Sequence, residues 1–274
     1  MLQNNKNYNI EEIKKNGVIK FEEFFNKNNL EYVEKILAKY KNKKDEKNSY
    51  FYRSKGKFLL NKLFNFQFES FLDCLKLIKL SKNLKLNNFS SEILGYPTKL
   101  YSIDSYFSKV SSEKVLDWHV DQAYSGDLKP ARFLDPDHAA LKYFVYLTDV
   151  SKNNGCLGYI PGSHKILYFL KLGILKNEIK YKPYWNLNDL VNIIQDNYYR
   201  KYLETKIKRE LIDNFLKQTS FIFNDTKDTD QYDYNLKKGG ALLFNEAGVH
   251  RAAETLKTDR LVVRFVYKNV NAPD

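Results

Sequence analysis

The chain has 274 residues, 43% of them apolar and 15% aromatic, a composition that packs a sizeable core and excludes a disordered or fibrous protein. Its 45 Lys and Arg against 33 Asp and Glu give a net charge of +12. The lysines are scattered among Asn, Ile, Tyr and Phe rather than gathered in a stripe, which argues against nucleic acid as the principal partner.

No run approaches the ~18 apolar residues of a bilayer span, and the start, MLQNNKNYNIEEIKKNG, lacks the apolar centre of a secretory signal. The two cysteines, Cys74 and Cys156, make neither a disulfide framework nor a close-spaced metal pair, so a reduced, cytoplasmic setting without membrane is expected. No internal repeat and no Pro/Gly-rich linker divides the chain, which reads as one domain over 1–274.

Residues 1–97 are mainly helical in pattern. GVIKFEEFF at 17–25 suits a short strand. NNLEYVEKILAKY then puts Leu30, Val33, Ile36, Leu37 and Tyr40 on one helical face, with Asn28 or Asn29 as cap. KNKKDEK at 41–47 is mixed in sign and fits a solvated loop. A second helix is expected over ESFLDCLKLIKLS, with Phe71, Leu72, Leu75 and Ile78 as its apolar face. From 98 the character changes. TKLYSIDSYF, ALKYFVYLTDV, GALLFNEAGVH and RLVVRFVYK are short, β-branched and aromatic, and bounded by turn residues. A β core over 98–165 and 219–270, interrupted by a helical insertion at 166–218, implies an all-β jelly roll packed on helices; a sandwich without a pocket fits the same pattern.

One constellation carries chemistry. His119 and Asp121 in WHVD stand at i and i+2, so a strand there projects both to one face. Alone, such a pair also fits an ordinary surface strand end. A further histidine, His250, lies 131 residues on, again where an apolar strand meets a turn. Two His and one carboxylate on adjacent strands make a facial triad with open coordination positions, as in non-haem Fe(II) oxygenases. Arg260, ten residues after His250, heads the last strand, where its planar fork suits a carboxylate. Arg251 and Arg264 compete for that role, although Arg251, next to His250, should face the other way.

The segment LKYFVYLTDVSKNNGCLGYIPGSHK at 141–165, with WHVD before it and GVHR and Arg260 after it, resembles the phytanoyl-CoA dioxygenase family of Fe(II)/2-oxoglutarate oxygenases. The resemblance covers roughly 98–165 and 238–268 and implies a double-stranded β-helix of the cupin type. It implies His119, Asp121 and His250 as the iron ligands, which are also the catalytic residues, and Arg260 as the 2-oxoglutarate anchor. Phe144 becomes an aromatic contact to that cosubstrate. Lys142, on the same face as Phe144 and Tyr146, is a second cosubstrate or substrate contact. The family's hydroxyl two residues after the second histidine is replaced here by Ala252.

The implied reaction uses O2 and 2-oxoglutarate to hydroxylate an unactivated C–H bond of a small molecule, releasing succinate and CO2. Lys142 and the basic composition hint at an anionic group on that molecule. Trp118, Gln122 and Tyr124 lie beside the metal pair and suit substrate contacts, although the aromatic ones fit a core equally. His164 and His138 read as loop residues. Tyr181, Tyr184, Trp185, Tyr198 and Tyr199 make the insertion a lid or an ordinary packing surface. The competing functions are a non-catalytic or differently metallated jelly-roll protein, an oxygenase acting on nucleic acid, and a zinc hydrolase. Retention of all three ligands with Arg260 argues against the first, and a hydrolase has no use for Arg260.

Overall fold

The computed structural model describes residues 6–40, 48–54, 58–111, 116–120, 136–180, 186–224 and 229–272. The alternating stretches form two antiparallel sheets. The larger contains β1 (Val18–Phe21), β2 (Asn48–Arg53), β3 (Thr98–Ser108), β5 (Leu141–Tyr146), β7 (Ala241–Asn245) and β9 (Arg260–Asn269), in the order β1-β7-β5-β9-β3-β2. The smaller contains β4 (Leu116–His119), β6 (Leu157–Tyr159) and β8 (His250–Ala252), in the order β4-β8-β6.

Strand alternation splits the large sheet into two unlike faces. Leu141, Tyr143 and Val145 of β5, Ala241 and Leu243 of β7, and Val263, Phe265 and Tyr267 of β9 face the N-terminal helices and join the largest core. The other face looks toward the small sheet. There Tyr146, Leu242, Phe244 and Val262 meet Cys156, Leu157 and Tyr159 in a second core, with Phe144 packed at its margin. This is a jelly roll with a helical outer layer.

The outer layer is α1 (Lys6–Asn16), α2 (Lys27–Leu37), α3 (Phe58–Phe64), α4 (Phe68–Asn83) and α5 (Leu86–Leu94). Helix α2 starts earlier than its apolar spacing suggests, because Asn26 caps it by accepting from the Asn29 backbone N–H at 2.8 Å. Helix α4 departs from the sequence expectation in its rotation. Leu72 and Leu75 stand exposed, and Cys74, Leu77 and Leu80 are the buried apolar residues. The physical reason is Asp73. Its buried carboxylate accepts from Lys39 at 3.1 Å, Lys76 at 2.9 Å and Tyr40 at 3.2 Å, and a buried charge requires such partners.

Four helices, α6 (Ser163–Leu175), α7 (Leu187–Gln195), α8 (Asn197–Glu204) and α9 (Arg209–Asn224), lie between the two halves of the β core. Their apolar faces pack with Trp118, Val120, Ile160 and Val249, on the outer side of the small sheet. Tyr199 joins that packing, whereas Tyr198 is exposed. Asn186 caps α7 through a reciprocal capping box with Asp189, and its backbone forms a bridge with His119. No helix among the described residues is long and apolar enough to cross a membrane. The charged run at 41–47 and Tyr181, Tyr184 and Trp185 lie outside the described residues.

Candidate metal centre

His119 closes β4 and His250 opens β8, and the two are direct register partners across the small sheet. Their ring centroids are 4.6 Å apart with planes inclined at 49°. Both are buried, His119 at 2% and His250 at 5% exposure. Their sequence neighbours Trp118 and Val249 project to the opposite, helix-covered face, as alternation requires.

The rings are oriented by their own strands. His119 Nδ1 lies 2.6 Å from the Asp117 carbonyl, and His250 Nδ1 lies 2.9 Å from the Gly248 carbonyl. A carbonyl only accepts, so each Nδ1 carries a hydrogen, which leaves Nε2 as the atom through which either ring could bind a metal. Ligating histidines are commonly fixed in this way. Phe244, at 5.2 Å, and Tyr159, at 6.5 Å and nearly parallel, hold the His250 ring. Gly248 is required here, because a Cβ would collide with the Tyr159 hydroxyl, which donates to the Asn245 carbonyl at 3.1 Å.

Among the described residues, no group of three His, Cys, Asp or Glu side chains gathers around one point. Asp121, Gln122 and Tyr124 lie outside the described residues, so the described part of the site is its pair of histidines. Two adjacent imidazoles with Nε2 left for binding suit a borderline divalent ion such as Fe(II).

Arg260, the first residue of β9, is 5% exposed. Its Nη1 donates to the Gly155 carbonyl at 2.9 Å and its Nη2 to Ser108 Oγ at 3.0 Å. The Asn-Gly turn builds this seat. Gly155 has φ +72°, and a Cβ there would lie 2.7 Å from Arg260 Cδ. The Asn154 side chain donates to the Asp149 carbonyl and Thr258 Oγ1, and accepts from the Thr258 backbone N–H at 2.9 Å. It thereby clamps the β8–β9 connection that delivers Arg260.

Charge pairing separates Arg260 from its competitors. Arg264 forms a buried bidentate pair with Asp104, both contacts at 2.9 Å, from the directly opposed register position. Arg251 grips Asp233 at 2.7 and 2.8 Å and lies over Trp118, on the outer face. Lys142 lies 3.2 Å from Glu246, with both side chains buried. Among the described residues, no carboxylate pairs with Arg260. Burial pulls its guanidinium below its usual value, and its Nε is buried without a hydrogen-bond partner among the described residues. An uncompensated buried cation of this kind is costly unless an anion completes it.

Phe144 is partly buried on the same face, parallel to Tyr106 at 6.2 Å and 5.3 Å from Phe244. The structure gives Lys142 a buried carboxylate, which favours a structural role over a ligand contact. Trp118 is 6% exposed and packs edge-on to Tyr232 at 6.4 Å, so it belongs to the core behind the small sheet rather than to a substrate mouth. Alternation, with His119 facing inward, is the reason. His164 sits with Nε2 3.3 Å from the Lys14 carbonyl, and His138 ends a short 3-10 turn. Sequence reasoning did not find the roles of Asp104, Glu246, Asn154 and Ser108. The signal for Asp104 was a lone carboxylate within a strand pattern, whereas Glu246 lies in the turn that follows β7.

The model of the phytanoyl-CoA dioxygenase (PhyH) family matches residues 13–260. No curated protein matches the chain. Among solved structures, HygX from Streptomyces hygroscopicus, solved with iron bound, aligns at 17% identity and TM-score 0.55, over 99% of this chain and 88% of that one. HygX has also been solved with nickel and 2-oxoglutarate bound. SnoK, a non-heme alpha ketoglutarate dependent carbocyclase from nogalamycin biosynthesis, aligns at 13% identity and TM-score 0.53, over 95% and 82%. EctD from S. alaskensis, in its apoform, aligns at 12% identity and TM-score 0.54, over 97% and 77%. At these identities the alignments speak for the shared jelly roll, and the match over 13–260 speaks for descent: the chain belongs to the phytanoyl-CoA dioxygenase family of iron- and 2-oxoglutarate-dependent oxygenases.

Proposed function

We propose that the protein is a non-haem Fe(II)/2-oxoglutarate-dependent dioxygenase that oxidises an unactivated C–H bond of a small molecule, with hydroxylation as the outcome. The carrying observation is one arrangement. Two histidines whose Nδ1 atoms are held by their own strands pair across the small sheet, and a buried arginine with no carboxylate partner among the described residues heads a strand of the facing sheet.

His119 and His250 would hold the ion through Nε2, and Asp121, two residues after His119 in sequence, is assigned as the anionic third ligand. With iron, 2-oxoglutarate and O2 bound, such a centre supplies an oxidant for C–H bonds while the cosubstrate leaves as succinate and CO2. The chain's own residues position and exclude. Arg260 anchors the distal carboxylate of 2-oxoglutarate by a charge-assisted contact. Phe144, which packs against both Tyr106 and Phe244, would give the cosubstrate an apolar aromatic wall that keeps water out. Asp121 in the ligand set supports hydroxylation over halogenation, because an occupied position leaves no room for chloride. SnoK, a carbocyclase on the same fold, marks ring closure as the outcome to separate from hydroxylation.

The test is anaerobic titration of 2-oxoglutarate into the Fe(II) protein, followed by succinate measurement in air across a substrate panel. A metal-to-ligand charge-transfer band and substrate-dependent succinate are expected. A protein that binds iron but gives neither band nor succinate would be the non-catalytic relative instead. Product mass then separates hydroxylation, at plus one oxygen, from ring closure, at minus two hydrogens.

A further inference from the structure

We propose that the Tyr146 hydroxyl is the second donor, beside Arg260, to the distal carboxylate of 2-oxoglutarate. The inference rests on the oxygenase reading above and assigns a further positioning residue within its pocket.

Tyr146 ends β5 opposite Val262 of β9. Arg260 is two residues before Val262, on the same face, so the phenol and the guanidinium are diagonal neighbours on adjacent strands. Both are deeply buried, Tyr146 at 0% and Arg260 at 5% exposure. Among the described residues each has a polar atom buried without a hydrogen-bond partner of normal geometry, the Tyr146 Oη, which the Leu157 backbone approaches, and the Arg260 Nε. Buried polar groups in native structures are nearly always satisfied, and two such orphans side by side point to one missing partner.

The chemistry of that partner follows from the groups left over. Arg260 only donates. Burial raises the Tyr146 phenol well above its ordinary value, so it keeps its proton and offers it as a donor. Other neighbours in this core are Val150, Cys156, Leu157 and Val262, whose side chains bring no strong acceptor. Two donors on neighbouring strands, left over after the Arg260 Nη atoms have gone to the Gly155 carbonyl and Ser108 Oγ, fit a group with acceptor oxygens and a negative charge, which is a carboxylate. The nearby cations are already neutralised, Arg264 by Asp104 and Lys142 by Glu246, so the anion belongs at Arg260. Ala252, two residues beyond His250, offers no hydroxyl for this purpose.

The variant Tyr146→Phe removes one oxygen and keeps the ring. A hydrogen bond to a charged group should make its loss weaken 2-oxoglutarate binding by about ten- to a hundredfold. The binding is read from the charge-transfer band during anaerobic titration of the Fe(II) protein. Iron content should match wild type. The melting temperature without cosubstrate should stay the same or rise, because the variant deletes a hydroxyl that is buried without a hydrogen-bond partner among the described residues. A purely structural tyrosine would behave oppositely, losing stability and iron together with affinity, and that result would overturn the proposal. Unchanged affinity in the presence of a normal band would overturn it as well, while leaving the oxygenase reading intact. Absence of any band in the wild-type protein would overturn the oxygenase reading itself, and this inference with it.

Discussion

Arg260 is a buried cation whose described contacts are a backbone carbonyl and a hydroxyl. Replacing it by Ala should leave metal content near normal, since no proposed ligand atom changes. The apparent affinity for 2-oxoglutarate should fall by about 2–5 kcal/mol, or roughly one and a half to nearly four powers of ten. Arg260→Lys should recover part of this, because a point charge cannot reproduce the fork. Asp121→Ala should do the reverse and lower iron content first. Anaerobic titration with metal analysis separates the two, and unchanged cosubstrate affinity in Arg260→Ala would remove it as the anchor. The sequence made Arg260 legible by its place at the head of the last strand. It did not show why Arg264, Arg251 and Lys142 are poorer anchors. That depends on Asp104, Asp233 and Glu246: strand register sets Asp104 opposite Arg264, while Asp233 and the turn residue Glu246 reach Arg251 and Lys142 through the packing of the folded chain.

At the scale of elements, strands were legible and helix faces less so. Strict alternation in ALKYFVYLTDV and RLVVRFVYK fixes which residues share a face, and β5 and β9 follow it. Helix α4 shows the limit. Its sequence has apolar residues nearly all round, so spacing alone allowed Leu72 and Leu75 to be buried, whereas the ion pairs of Asp73 turn Cys74, Leu77 and Leu80 inward. The consequence is a contrast within one helix. Leu77→Ala should destabilise by about 2–5 kcal/mol, as for a fully buried leucine. Leu75→Ala, at an exposed site, should stay within about 0.5 kcal/mol. Urea unfolding of both variants checks this, and a larger loss for Leu75→Ala than for Leu77→Ala would mean that α4 packs in the rotation its spacing suggested. The helices after the PGSH turn were legible as helices, but their role depended on partners. Trp118, Val120 and Val249 all come from the back of the small sheet, and those contacts make the four helices a wall behind the site.

For the molecule as a whole, acid should act through His164 at the α6 start. Burial, with help from the Lys165 charge, pushes its pKa from 6.5 down to about 4. The unfolded chain therefore takes up a proton that the folded chain refuses between these values. The His164 contribution should reduce stability as pH falls from about 6.5 toward 4 and be constant below that. His164→Gln should flatten this slope relative to wild type in melts at pH 7.5, 6 and 5. Equal slopes would assign the acid sensitivity to other groups.

The pairing of His119 with His250 has a consequence for the life of the protein as well as for its chemistry. The two residues stand 131 positions apart in the chain, and the unfolded polymer has no reason to keep them together. An ion gripping both is a removable cross-link between the early and late halves of the jelly roll. Its binding free energy becomes folding free energy, about 2.7 kcal/mol when free metal is a hundredfold above its dissociation constant. Adding Fe(II) under anaerobic conditions should therefore raise the melting temperature of the wild-type chain and leave that of His250→Ala nearly unmoved. If both variants shift equally, the ion binds elsewhere. In a cell short of iron the same linkage would show as turnover, because the metal-free chain sits closer to unfolding and to proteolysis.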